Sequence, residues 1–352
     1  MNLNINETLQ KGISALKQGK LQDAKYIYEK ILKIQSNHPD ANHYLGITLQ
    51  LLGKLDESII FYKKAISLKP NHAQAFGGLG NALYELNRFE EAVTFYKKAI
   101  NLEPNFLDAQ YNLGNALNAL GKIDEAEPFY RKTIDLKSNF TEAHMRLNII
   151  LEQKKILSMI QGSKKNDTKN KLSSETRLSS NPFISNRVVE TELIDKLKKM
   201  DSMKLDKTKD IRYGNGRCSP NFKLLENDSL IIKNVSADLN NIMKNALKSE
   251  IYIVESFFNI LGAGSGTTPH KHLDPFDKAN NITDHKYSLV YYLSVGDQSC
   301  DDPGILKLYE PDKEILPTNG MIVIIPAGRR HSSVYGGKAE RIMIGVNFYS
   351  LI

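Results

Sequence analysis

The sequence predicts two folds in one chain, an all-α solenoid of repeated helical hairpins followed by a mainly β sandwich or barrel. Three observations carry this expectation. Residue types recur at a period of 34 through the first 150 positions. A stretch rich in Ser, Lys, Asn and Thr follows, with almost no periodicity. Beyond it come short alternating or apolar runs broken by Gly, Pro, Asn and Asp. At 352 residues the chain is also too long for one ordinary core.

The repeat columns are explicit. Gly12, Gly46, Gly80 and Gly114 share a register, as do Ala24, Ser58, Ala92 and Ala126. Tyr28, Tyr62, Tyr96 and Tyr130 form a third column, while Lys20, Lys54, Arg88 and Lys122 follow the turn inside each hairpin. Asn37, Asn71, Asn105 and Asn139 mark the turn between repeats. Small residues suit the close crossing of two antiparallel helices, and the tyrosines are expected to fill the space between neighbouring hairpins. Pro70 and Pro104 end the second helix, because proline cannot continue it.

This register resembles the tetratricopeptide repeat (TPR), and Tyr111-Asn112-Leu113-Gly114-Asn115-Ala116-Leu117 is close to that family's first-helix consensus. The resemblance covers about four units over residues 5–140, and residues 141–158 read as an amphipathic capping helix. The expected division is 1–160 for the capped array, 161–185 for a flexible linker and 186–352 for the second domain. A TPR array implies a concave groove for a protein or peptide client. Asn81, Tyr111, Asn112, Asn115 and Asn118 are the candidates to line it, their amides available to an extended backbone.

In the second domain, residues 251–261, 287–295, 305–309, 320–325, 332–335 and 341–348 read as strands. Residues 237–247 read as the best helix, capped by Ser236 or Asp238. Short strands in this order suit a double-stranded β-helix, or jelly roll.

The chemistry is concentrated there. His272 and Asp274 stand two apart, His331 follows, and Arg341 lies 10 positions after His331. On an extended segment His272 and Asp274 would point to the same side. Two imidazoles and a carboxylate form the facial set used by non-haem Fe(II), with open positions left for O2 and a co-substrate. A guanidinium beside such a site can grip a carboxylate with two parallel hydrogen bonds. His270 offers a competing His-x-His pair, with Asp274 preferred because a carboxylate offsets the metal's charge. A terminal hairpin with a three-residue loop, Gly336-Gly337-Lys338, or a bulge would put Arg341 on the face of His331. His285 reads as a surface or pocket-rim residue rather than a ligand, and residues 278–284 as a surface or closing loop.

These elements resemble the 2-oxoglutarate and Fe(II)-dependent oxygenase superfamily, near its prolyl-hydroxylase-like branch. The resemblance runs over about 205–352, through Phe257-Phe258-Asn259, His272-Leu273-Asp274, the strand from Ser288, Gly304, the run from Pro317, His331 and Arg341. It implies that His272, Asp274 and His331 hold iron and that Arg341 binds the distal carboxylate of 2-oxoglutarate. Asn259, Tyr287 and Tyr291 would line the co-substrate pocket, and ascorbate would serve as reductant. The implied reaction is hydroxylation coupled to decarboxylation of 2-oxoglutarate. The substrate would be a protein or peptide recruited by the repeats, or a small molecule. Met343 departs from the family pattern, which often has Ser two positions after the basic residue. From a different class comes an alternative, a non-catalytic TPR adaptor whose jelly roll is inactive or merely binds metal.

Composition narrows the setting. A net charge of +7 sits mostly in lysine-rich polar stretches with few interleaved aromatics and no Trp, so nucleic-acid binding is not expected. No apolar run is long enough for a membrane span, and the first residues lack a signal-peptide pattern. Two cysteines, Cys218 and Cys300, offer no disulfide framework, which fits a reducing cytoplasm.

Overall fold

The computed structural model describes residues 4–166, 181–205 and 216–351, with side chains of the first segment described to residue 162. The chain divides into two compact units, Met1–Lys154 and Lys155–Ile352.

The first unit is a solenoid of helical hairpins: α1 (Ile5–Lys17) with α2 (Leu21–Ile34), α3 (Pro39–Leu51) with α4 (Leu55–Leu68), α5 (Ala73–Glu85) with α6 (Phe89–Leu102), and α7 (Leu107–Ala119) with α8 (Ile123–Leu136). The 34-residue period follows from this, one hairpin and two short turns per unit. Packing explains the glycine and tyrosine columns. A Cβ on Gly12, Gly46, Gly80 or Gly114 would meet Tyr28, Tyr62, Tyr96 or Tyr130 at 2.6, 2.9, 2.6 and 2.9 Å. Each ring is therefore seated on the glycine of its own hairpin, and Tyr28 also reaches the next hairpin as expected, stacking on Tyr44 at 5.8 Å. Tyr62 additionally reaches Gly78 of the next one. Helix α9 (Thr141–Asn166) runs beyond the expected end of the capping helix. Its Ala143, Leu147 and Ile150 are buried.

The second unit carries two antiparallel sheets. The strands are β1 (Phe183–Asn186), β2 (Met203–Lys204), β3 (Gly216–Cys218), β4 (Ile251–Leu261), β5 (Ser265–His270), β6 (Lys286–Ser294), β7 (Leu306–Leu308), β8 (Lys313–Ile315), β9 (Met321–Pro326), β10 (His331–Tyr335) and β11 (Arg341–Ser350). The major sheet has the order β1-β9-β6-β11-β4-β3-β2 and the minor sheet β5-β10-β7-β8. Strand β1 pairs with β9, so the first strand of this unit begins within the expected 161–185 linker; residues 167–180 lie outside the described residues.

Helices α10 (Thr191–Lys199) and α11 (Leu230–Leu247) cover one face of the major sheet. Leu193, Leu197, Ile232, Val235, Leu239 and Met243 pack there with Phe258, Leu289, Tyr291, Ile344, Val346 and Phe348. Helix α11 starts seven residues earlier than its sequence pattern suggested, because Ile231, Ile232 and Val235 continue its buried apolar stripe. The opposite face contributes Tyr292, Val323 and Ile325 to a second core, completed by Leu306, Leu308 and Ile315 of the minor sheet. Strand β6 is buried on both sides, so its sequence reads as nearly continuous apolar and aromatic residues.

Candidate functional site

The candidate centre is assembled where β5 and β10 run side by side. His331, the first residue of β10, lies opposite His270, the last of β5, with a register shift next to them. His272 follows on a segment tied down by a 2.9 Å hydrogen bond from its N–H to the Ala327 carbonyl. Among the described residues His270, His272 and His331 bring ligand nitrogens within 4.8 Å of one another. The Nε2 atoms of His272 and His331 lie 3.2 Å apart.

Backbone carbonyls orient two of the three rings. His331 Nδ1 lies 3.1 Å from the Arg329 oxygen, and His270 Nδ1 lies 2.8 Å from that of Thr268. A carbonyl only accepts, so each Nδ1 carries a proton, and in the neutral ring Nε2 is the atom left with a lone pair. Burial holds His331 down to a pKa of about 4, and neighbouring His270 adds to the effect. Neutral imidazole is the form that ligates a metal.

Asp274 stands apart from this cluster. Its side chain accepts from Asp277 N–H at 3.0 Å and caps the short helix α12 (Pro275–Ala279), in a reciprocal capping box with Asp277. Its other oxygen accepts from Lys286 Nζ at 3.0 Å. The expectation that Asp274 joins His272 and His331 therefore differs from the arrangement found. The physical reason is local: Asp274-Pro275-Phe276-Asp277 is a helix-start signature, and its cap bond draws the carboxylate toward α12. Lys286 also donates to Asp277 at 2.8 Å. Burial opposes the charge on Lys286, but the carboxylates of Asp274 and Asp277 outweigh it and raise its pKa.

Arg341 is fully buried. The hairpin expected to deliver it is not formed. β10 belongs to the minor sheet and β11 to the major one, so residues 336–340 cross between sheets. The guanidinium nevertheless points between the sheets, 4.9 Å from the Tyr292 ring and 5.7 Å from that of Tyr335. Nη1 donates to the Gly304 carbonyl at 2.8 Å, while Nε and Nη2 have no hydrogen-bond partner among the described residues. Burial pushes its pKa down.

A cavity of about 90 Å³ is lined by all three histidines and by Tyr292 and Tyr335, whose rings lie beside the guanidinium. Asn259, 9% exposed, lines it as expected. Tyr287 and Tyr291 do not. They face the helix-covered core, where Tyr287 stacks on Phe348 at 5.9 Å and the Tyr291 hydroxyl donates to the Val188 carbonyl at 3.0 Å. Successive strand residues alternate in direction, so it is Ser288, Val290 and Tyr292 that face the cavity. Sequence reasoning missed Tyr292, Tyr335 and Lys286. His285, expected at the surface or a pocket rim, is buried with Nδ1 3.1 Å from the Ser350 carbonyl, and residues 278–284 include the end of α12 and a 3₁₀ turn.

The donor set fits a divalent transition metal, because two of the three clustered imidazoles are oriented to present Nε2 lone pairs. The buried guanidinium, with two nitrogens lacking partners among the described residues, lies beside Tyr292 and Tyr335 of the cavity wall and has the chemistry to grip a carboxylate.

In the repeat unit a separate cavity of about 400 Å³ is lined by His43, Gln50, Tyr62, Asn81, Tyr96, Asn112 and neighbours. Asn81 and Asn112 thus lie where expected, yet Asn81 Oδ1 already accepts from the Tyr96 hydroxyl at 2.8 Å and from Asn112 Nδ2 at 2.9 Å. Asn115 Oδ1 accepts from the Tyr130 hydroxyl at 3.0 Å, and Tyr111 packs on Phe140 at 5.0 Å. Asn81 and Asn115 therefore hold the tyrosine column, while Asn81 and Asn112 line the cavity.

Comparison with known proteins bears on this first unit. Residues 80–121 match the TPR repeat family, 107–140 the Tetratricopeptide repeat family, and 17–99 the family described as anaphase-promoting complex, cyclosome, subunit 3. Similar solved structures include a crystal structure of MamA, 29% identical over 41% of this chain and 84% of that one, with a TM-score of 0.39. Another is MamA 41-end from Desulfovibrio magneticus RS-1, 20% identical over 43% and 85%, with a TM-score of 0.40. A third is Pseudomonas aeruginosa pilF, 21% identical over 49% and 88%, with a TM-score of 0.40. No curated protein matches the chain. The N-terminal array is a tetratricopeptide-repeat solenoid, a module of the protein-interaction type. Among the described residues no helix is long and apolar enough to cross a membrane.

Proposed function

We propose that the chain is a 2-oxoglutarate- and Fe(II)-dependent dioxygenase of double-stranded β-helix fold, acting on a protein or peptide recruited by its repeats. One observation carries this reading: clustered imidazoles line a cavity whose wall residues Tyr292 and Tyr335 pack on a buried guanidinium that has two nitrogens without partners among the described residues. His272 and His331 would hold iron, with a third donor from the stretch between His270 and Asp274. Arg341 would bind the distal carboxylate of 2-oxoglutarate, with Tyr292 and Asn259 shaping the space between. Bound iron supplies the oxidising chemistry, with ascorbate keeping it reduced. The chain's own work is to orient two of the three imidazoles through backbone carbonyls, to fix the co-substrate's far end and to exclude water with apolar walls. A cavity of about 90 Å³ suits a small diacid and not a peptide, so the client would meet the site from outside it.

The test is succinate release by the full chain with Fe(II), ascorbate and 2-oxoglutarate. We expect Arg341→Ala to bind metal as the parent does and to lose 2-oxoglutarate. Absence of both metal binding and succinate in the parent sinks the reading.

A second reading is a TPR adaptor whose β unit is inactive or binds metal without oxidising anything. The comparisons taken alone favour it, since every family match lies within residues 17–140. Metal binding with no succinate under any condition would select it.

A further inference from the structure

We propose that the metal is held by three imidazoles, those of His270, His272 and His331, and that Lys286 is the positioning residue that keeps Asp274 out of the set. This rests on the metal-centre reading above and specifies its ligands.

Both oxygens of Asp274 are committed, Oδ1 to the Asp277 N–H at 3.0 Å and Oδ2 to Lys286 Nζ at 3.0 Å. Lys286 is 6% exposed and bridges Asp274 to the fully buried Asp277, which in turn takes the Tyr349 hydroxyl. Moving Asp274 to a metal would uncap α12. It would also remove one of two carboxylates from a buried ammonium, and stripping a partner from a buried charge is strongly unfavourable. His270 meets no such obstacle. It sits opposite His331 across the β5–β10 pair, with ring centroids 4.4 Å apart, and its Nδ1–H is already satisfied by the Thr268 carbonyl. The fold therefore brings three imidazoles together and keeps the nearby carboxylate in the cap and ion pair of α12.

The test uses the full chain, stripped of metal and titrated with Co(II), together with X-ray absorption on the zinc-loaded protein to count imidazoles. Three imidazoles are expected. Asp274→Asn should bind Co(II) within about threefold of the parent. His270→Ala should weaken binding by more than the ~10–100-fold that loss of an outer partner costs. Adding Lys286→Met to His270→Ala frees Asp274 and should recover at least about tenfold. Two imidazoles plus a carboxylate in the zinc-loaded parent overturn the proposal, as does an Asp274→Asn loss equal to that of His270→Ala. A parent that binds neither metal overturns the metal-centre reading itself. The imidazole count needs no substitution, so it decides even where Lys286→Met unfolds.

Discussion

The Gly304 carbonyl accepts from Arg341 Nη1 at 2.8 Å, and a Cβ on Gly304 would fall 1.3 Å from that same nitrogen. Gly304 also has φ +80, where a side chain costs about 1–2 kcal/mol. Gly304→Ala should therefore displace the guanidinium. We expect 2-oxoglutarate affinity to fall at least about tenfold, a loss of roughly 1.4 kcal/mol, with Co(II) binding unchanged. Calorimetric titration of both ligands checks this.

The glycines of the array separate two kinds of cost. Gly80→Ala sets a methyl 2.6 Å from the Tyr96 ring, an overpacking of about 1–3 kcal/mol. Gly53→Ala meets nothing within 4 Å but must hold φ +75, at about 1–2 kcal/mol. Tyr96→Leu should relieve the first and leave the second untouched. A double-mutant cycle in urea reads the coupling.

Acid should loosen the array through a buried histidine pair. The rings of His43 and His72 lie 4.7 Å apart. Burial, then His72, lowers the His43 pKa from 6.5 to about 3, and burial also lowers that of His72. The unfolded chain thus binds protons that the folded one does not. This stability is fully present above the unfolded value and is lost as pH falls from about 6.5 toward 3, by at most ~1.4 kcal/mol per pH unit per histidine. Urea melts at pH 7 and pH 5 should show the loss, and His43→Phe should reduce it.

Tyr291 and Tyr292 should behave oppositely. Tyr291→Phe removes the donor to Val188 O at 3.0 Å and the acceptor of a 3.1 Å bond from Arg187 Nη1. It should cost about 1–3 kcal/mol in stability without affecting Co(II) or 2-oxoglutarate binding. Tyr292→Ala should weaken 2-oxoglutarate by altering the cavity wall beside Arg341. Denaturant melts and ligand titrations on both variants separate the two.

The repeat unit was legible because its period is imposed by geometry that every hairpin repeats: a tyrosine requires a glycine opposite it, and both recur. The central strands were legible from apolar runs and turn residues. Side-chain direction on β6 was not, because a strand buried on both faces shows no alternation to read, and Tyr287 and Tyr291 were placed on the wrong side. His270, His272 and His331 stood out by residue type, but the His272-x-Asp274 spacing drew attention from the cap signature Asp274-Pro275-Phe276-Asp277. Arg341 was found by spacing from His331 although the strands bearing them never pair. Lys286 carried no signal, since one lysine among 47 basic residues is unremarked until its two carboxylates are seen.

Because His331 is carried by the minor sheet and Arg341 by the major one, the separation of the two residues is set like the jaws of a caliper. Its opening is the gap between the sheets, held by Leu306, Leu308, Val323 and Ile325. On the proposed function, discrimination between diacids of four, five and six carbons would then be graded by core volume at these four side chains, of which only Leu306 also lines the cavity. Trimming Val323 or Leu306 should shift which chain length fits best, and leave the residues that grip its ends as they are.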